Sequence, residues 1–205
     1  MGVEEEKVAA AREAARLVEP GMAVGLGSGS TVNRLVAVLA ESPPAASFVA
    51  ASLATAEAAA AAGLRVVSLD DVGELDLAID GADQVDPERW LVKGGGAAHT
   101  REKIVAAAAR RFVVIISSDK LVERLSPPVP LEILAFAPET ALRAVGEARL
   151  RAGTPPSPDG GLIADYLGPV DDPRELASRL ERIPGVVAHG LFPPQMVDEV
   201  IVGGV

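Results

Sequence analysis

Apolar residues near the N-terminus recur at helical spacing. Val8, Ala11, Ala15 and Val18 share one face of a segment over 4–18, with Glu4, Glu5 and Glu6 at the end where a helix favours negative charge and Pro20-Gly21 beyond it. A short apolar run at 22–26 follows, then Gly-Ser-Gly-Ser-Thr, then a helical pattern over 32–41. Ser42-Pro43-Pro44 breaks that pattern, 48–51 reads as a strand, and an alanine-rich helix over 54–62 closes at Gly63. Strand-like runs at 64–68 and 77–79 are separated by an acidic loop. After a glycine-rich stretch, 100–110 reads as a helix and 112–116 as a buried strand.

Strands alternating with helices of about ten residues predict a parallel sheet. Right-handed crossovers would wrap it on both faces, giving a Rossmann-like α/β layout. The texture changes at Ser126-Pro127-Pro128. Beyond it the pattern predicts a strand at 131–136, a helix over 139–151, a Pro/Gly-rich loop at 154–161, a strand at 162–166, a helix over 173–182 and a strand at 186–191. The expected organisation is a Rossmann-like domain of residues 1–126 and 196–205, with a small α+β subdomain over 127–195. The apolar segment 200–202 is expected to return to the main sheet.

Composition narrows the chemistry. The net charge is −10 and there are six aromatic residues, so a nucleic-acid partner is disfavoured. No apolar run is long enough to span a bilayer and the N-terminus is acidic, so no membrane association and a cytoplasmic location are expected. The absence of cysteine removes disulfides, thiolate nucleophiles and cysteine metal sites. His99 and His189 are ninety positions apart, which supports no histidine metal site. Carboxylates, lysines, hydroxyls and backbone amides are left to carry any chemistry.

Three loops at predicted strand ends stand out, where parallel sheets bind ligands. In Gly25-Leu26-Gly27-Ser28-Gly29-Ser30-Thr31, glycine amides, hydroxyls and a helix N-terminus suit a small phosphate, although an ordinary capped turn reads the same way. Neither the nucleotide P-loop nor the dinucleotide fingerprint is present. Asp80-Gly81-Ala82-Asp83 places two carboxylates where they can accept bonds from sugar hydroxyls, hold a hard cation, or close a turn. Lys93-Gly94-Gly95-Gly96-Ala97-Ala98-His99-Thr100 spends three consecutive glycines, as close backbone approach to a ligand would require. Glu102 then falls in the first turn of the next helix, as a general base or as a dipole-stabilising acid. His99 reads as a polar loop residue. Lysine is confined to Lys7, Lys93, Lys103 and Lys120 among fifteen arginines, and Lys93 and Lys103 flank this last loop.

These motifs, in this order, resemble ribose-5-phosphate isomerase type A. Gly27-Ser28-Gly29-Ser30-Thr31, Asp80-Gly81-Ala82-Asp83 and Lys93-Gly94-Gly95-Gly96-Ala97-Ala98 running into Thr100-Arg101-Glu102-Lys103 carry the match. Asp119-Lys120, Pro130-Leu131-Glu132 and Ile183-Pro184-Gly185-Val186-Val187 extend it along nearly the whole chain. The resemblance implies interconversion of D-ribose 5-phosphate and D-ribulose 5-phosphate through a cis-enediolate, in the non-oxidative pentose phosphate pathway. Glu102 would move the proton. Ser28, Gly29, Ser30 and Thr31 would hold the substrate, with Lys7 assisting at the phosphate. Asp80, Gly81, Ala82 and Asp83 would meet the sugar hydroxyls, and Lys93, Gly94, Gly95, Gly96 and Lys120 would complete the site. No metal or organic cofactor is implied, and the assembly would be a homodimer or homotetramer.

The chain departs from that pattern at Gln84, commonly glutamate in the family, and at His99, commonly apolar. Residues 154–161 are several residues shorter than the usual hairpin with its arginine-containing strand. A sugar-phosphate sensor, an amino-sugar-phosphate deaminase and a coenzyme A transferase are the competing expectations. The sensor would need no Glu102, and the deaminase would recruit a histidine.

Overall fold

The computed structural model describes residues 1–204. In chain order the first elements are α1 (Val3–Ala15), β1 (Ala23–Leu26), α2 (Ser30–Glu41), β2 (Ser47–Ala50), α3 (Leu53–Ala61), β3 (Arg65–Val66), α4 (Leu69–Val72) and β4 (Leu77–Asp80). Two-residue strands β5 (Gln84–Val85) and β6 (Leu91–Val92) precede α5 (His99–Ala107) and β7 (Phe112–Ile116). Then come β8 (Val129–Ile133), α6 (Pro138–Val145), β9 (Ala148–Leu150), β10 (Leu162–Tyr166), α7 (Pro173–Glu181), β11 (Val186–His189), β12 (Leu191–Phe192) and β13 (Glu199–Val202). No helix among the described residues is long and apolar enough to cross a membrane.

The chain forms two compact units. Of the described residues, the first comprises 1–82, 101–121 and 195–204, and the second 83–100 and 122–194. The predicted boundary at 126/127 differs from this division, because β5 and β6 pair with β12 in a three-stranded antiparallel sheet rather than with the large sheet.

In the first unit, six parallel strands run in the order β13-β7-β4-β1-β2-β3. β13 pairs with β7 over 199–202, as the apolar C-terminal segment predicts. The order runs outward in both directions from β1 and β4, so right-handed crossovers place successive helices on opposite faces. Alternation along β1 shows it. Val24 and Leu26 pack with Val32, Leu35, Val36 and Leu39 of α2, while a Cβ on the intervening Gly25 would lie 2.4 Å from Val105 Cγ1 of α5. A larger residue at 25 would lift α5 off the sheet. Ala10, Ala11 and Ala14 of α1 are fully buried in the same core as α2, small side chains that let a helix approach closely.

The second unit holds a four-stranded antiparallel sheet, β11-β8-β10-β9, with α6 and α7. Its core joins Leu131 and Ile133 of β8 to Leu142 of α6 and Leu180 of α7. The predicted helix over 139–151 stops early. Gly146 adopts φ +98, and residues 148–150 instead form the edge strand β9 against β10. The predicted strand over 186–191 divides at Gly190, which leads from β11 to β12 in the other sheet.

Candidate active site

In an open parallel sheet, the crevice opens where the strand order reverses, outside the carboxyl ends of the strands. That point lies between β1 and β4, whose following loops are two of the three singled out in the sequence. Gly27 donates its N–H to Ile79 O at 3.0 Å, holding the first loop against the end of β4. Asp80, the last residue of β4, is buried, and its Oδ1 accepts N–H groups from Ser28 at 3.0 Å and Gly81 at 2.7 Å. A Cβ at Gly27 would sit 1.7 Å from Asp80 Cγ, so only glycine allows this carboxylate to lie across the loop.

Glu102 is on the first turn of α5, one turn before Val105, and therefore on the face that Gly25 draws onto β1. Its side chain is buried, and the Ser28 hydroxyl donates to Oε1 at 2.5 Å. Ser28 thus donates from its backbone to Asp80 and from its side chain to Glu102. Gly29, with φ +92, caps α2 without a side chain. The first turn of α2, including Ser30 and Thr31, contains no acidic residue, which leaves its positive end available to an anion. Among the predicted lysines of this unit, Lys7 pairs with Glu4 at 2.7 Å and Lys120 with Asp119 at 3.1 Å. The Ser117 hydroxyl donates to Asp119 and holds its carboxyl below the ordinary value of 3.8; Lys120 acts in the same direction, against partial burial.

Asp83, Lys93 and the glycines belong to the second unit. Asp83 donates its N–H to Val92 O at 2.8 Å, and its Oδ2 accepts the Gly95 N–H at 2.8 Å. Lys93 is buried. Its N–H bonds Gly190 O at 2.8 Å, and its ammonium stands 5.5 Å from the centre of the Phe192 ring. Gly190 has to be glycine here, since a Cβ would lie 2.1 Å from Lys93 O. Gly94 has φ +105, and a Cβ there would meet His99 Nδ1 at 2.7 Å.

His99 is fully buried at the start of α5, which corrects its reading as a polar loop residue. The physical reason is the lack of a side chain on Gly94, which lets the imidazole lie against the loop. The sequence assigned no role to two further residues. Arg151 donates to the carbonyls of Gly94 and Gly95, and buried Glu132 accepts from Thr100 and from Ser157, the latter at 2.5 Å. The period-two placement of Arg149 and Arg151 around Leu150 is a strand signal that the helical reading of this segment obscured. Among the described residues, no cluster of three His, Asp or Glu side chains is arranged to hold a metal ion.

Fold and site together define a class: a Rossmann-like α/β enzyme with an anion-accepting helix end and buried carboxylates at the switch point. The family profile described as ribose 5-phosphate isomerase A (phosphoriboisomerase A) matches residues 47–205. A ribose-5-phosphate isomerase A of Thermosynechococcus vestitus is 40% identical, covering 98% of this chain and 92% of the relative. That of Methanosarcina acetivorans is 43% identical, over 91% and 86%. A D-ribose-5-phosphate isomerase solved in complex with phospho-erythronic acid superposes with a TM-score of 0.94 at 36% identity, covering 99% of this chain and 96% of that one. The chain belongs to the ribose-5-phosphate isomerase A family, whose members are aldose–ketose isomerases.

Proposed function

We propose that this protein interconverts D-ribose 5-phosphate and D-ribulose 5-phosphate through a cis-enediolate, with Glu102 as the proton-transferring base. One observation carries the assignment of the base: buried Glu102 is held at 2.5 Å by the Ser28 hydroxyl, beside a loop that opens into the N-terminus of α2. Glu102 takes the proton from C2 of the open-chain aldose as electrons move into the C1–C2 bond and onto O1. It returns the proton to C1 while the O2 proton is transferred to O1, so that C1 becomes a hydroxymethyl carbon and C2 the carbonyl. Lys93 and the amides of Gly94, Gly95 and Gly96 stabilise the oxyanion, with Lys120 as a further cation. Asp80 and Asp83 meet the hydroxyls and supply acid–base help for ring opening, along with the Gly81 and Ala82 backbone.

The phosphate is assigned to Ser28, Gly29, Ser30 and Thr31, where amides and hydroxyls converge on the end of a helix. Lys7 is assigned a supporting charge. Phosphate binding then positions the reacting carbons remotely. Because the substrate is a charged metabolite that does not cross a bilayer unaided, the cytoplasm is the compartment proposed. A homodimer or homotetramer is proposed in addition. It is supported by exposed Leu134, Phe136 and Val187, of which Phe136 is 84% accessible, and light scattering would test it.

The deciding experiment follows ribulose 5-phosphate formation by the wild type and by Glu102→Gln, with and without EDTA. Turnover that persists in EDTA and falls on the order of 100-fold or more in the variant is expected. Near-normal turnover by folded Glu102→Gln would remove Glu102 from the role. Absence of isomerisation by the folded wild type would overturn the function.

A further inference from the structure

The glycine loop is bonded by an arginine to which the proposed reaction assigns no chemical step. Arg151 follows the edge strand β9, and its guanidinium is divided between two tasks. Nε and Nη2 fork onto Asp165 at 3.0 and 2.5 Å, a bidentate pair that fixes the plane of the group. Nη1 donates to Gly94 O at 3.0 Å and to Gly95 O at 3.1 Å. Arg151 and Asp165 are both largely shielded from solvent.

A trans peptide is planar, with its C=O and N–H pointing in opposite directions. Fixing the Gly94 carbonyl on Arg151 therefore aims the Gly95 N–H the other way, and it is this N–H that Asp83 Oδ2 accepts at 2.8 Å. The same holds for the next peptide: with Gly95 O on Arg151, the Gly96 N–H is aimed away from the guanidinium. Gly95 and Gly96 are exposed. The cation also polarises both peptides, which strengthens their N–H groups as donors. Asp165, Arg151, the Gly94–Gly95 peptide and Asp83 form one continuous chain of hydrogen bonds.

We infer that Arg151, fixed by Asp165, is a positioning residue that aims the Gly95 and Gly96 amides and the Asp83 carboxylate for the isomerisation. This rests on the proposed function, in which those groups meet the substrate. Without the cation, three glycines in succession have no side chain to hold their orientation, so the donors would sample many directions. Misplacement by an ångström is enough for losses on the order of 100-fold.

The test is a double-mutant cycle of Arg151→Ala and Asp83→Asn, assayed by steady-state kinetics with ribose 5-phosphate. Arg151→Ala is expected to lower kcat/KM by roughly 10- to 100-fold in the wild-type background, and by a clearly smaller factor once Asp83→Asn is present, the remaining loss being that of the Gly95 and Gly96 amides. Arg151→Lys keeps a cation near Asp165 but lacks the planar fork, so it should be impaired too. It serves in place of Arg151→Ala in the cycle if the alanine variant does not fold. A purely structural arginine would give the same fold-loss in both backgrounds, and that result would overturn the inference. So would unchanged kcat/KM in the folded single variants. Wild-type turnover measured alongside separates these failures from failure of the proposed reaction itself.

Discussion

Gly27→Ala is the sharpest perturbation of the switch-point geometry. The new methyl carbon would lie 1.7 Å from Asp80 Cγ, 1.8 Å from Oδ1 and 2.2 Å from Oδ2. Non-bonded carbons settle at about 3.5 Å, so the carboxyl group has to retreat by close to 2 Å. Both bonds to Oδ1, from Ser28 N–H at 3.0 Å and Gly81 N–H at 2.7 Å, are lost in that movement. A hydrogen bond to a charged acceptor contributes about 1.5–3 kcal/mol, and the two share one oxygen, so the expected loss is about 3–4 kcal/mol. That is a large part of the 5–15 kcal/mol typical of a folded domain. Urea unfolding followed by circular dichroism reads the stability, and the isomerase assay should show turnover lowered on the order of 100-fold. In an Asp80→Gly background the three atoms nearest the new methyl are gone, so Gly27→Ala should then cost clearly less than it does in the wild type. The reasoning fails if Gly27→Ala matches the wild type in both measurements, or if its cost is the same with Asp80 absent.

Gly25→Ala places a carbon 2.4 Å from Val105 Cγ1, and a valine in a helix has little freedom to turn aside. A loss of about 1–3 kcal/mol is expected, with turnover lowered because α5 carries Glu102, and Val105→Ala should restore most of both; failure of that rescue in thermal melts would sink the explanation. Ser117→Ala removes the hydroxyl that depresses the Asp119 carboxyl. A depressed folded-state value contributes stability that is present above the ordinary value of 3.8 and disappears as pH falls through the folded-state value. The variant should therefore be less stable than wild type near neutral pH, the gap should close in acid, and NMR titration should find Asp119 moved upward. A gap independent of pH would contradict this.

Much of the fold is legible as local pattern. The helix predicted over 4–18, the β1–loop–α2 unit and the five-residue apolar strand β7 each carry their own periodicity or punctuation, and the structure has all three, the first helix ending at Ala15. The failures share a cause. β5, β6 and β12 have two residues each, too few to show any period, and they exist because partners elsewhere complete their ladders. Residues 148–150 fit either a helix or a strand by composition, and it is pairing with β10 that decides for the strand. His99 looks polar in sequence, yet it is buried because a glycine five positions earlier lacks a side chain.

The sequence by itself determined the chemical inventory: a glycine loop opening a helix, Asp80 at the end of a strand, Glu102 in a first helical turn, and no cysteine. Those features follow from neighbours a few residues apart, which local physics reads directly. Tertiary structure alone decided that the sheet order reverses between β1 and β4, and that Ser28 meets Asp80 and Glu102 across 52 and 74 residues. It also decided that Arg151 reaches Gly94 across 57. Such contacts depend on which strands pair and which glycines let backbones approach. Those choices are settled by burial and hydrogen bonding summed over the whole fold, and no short stretch of chain contains them.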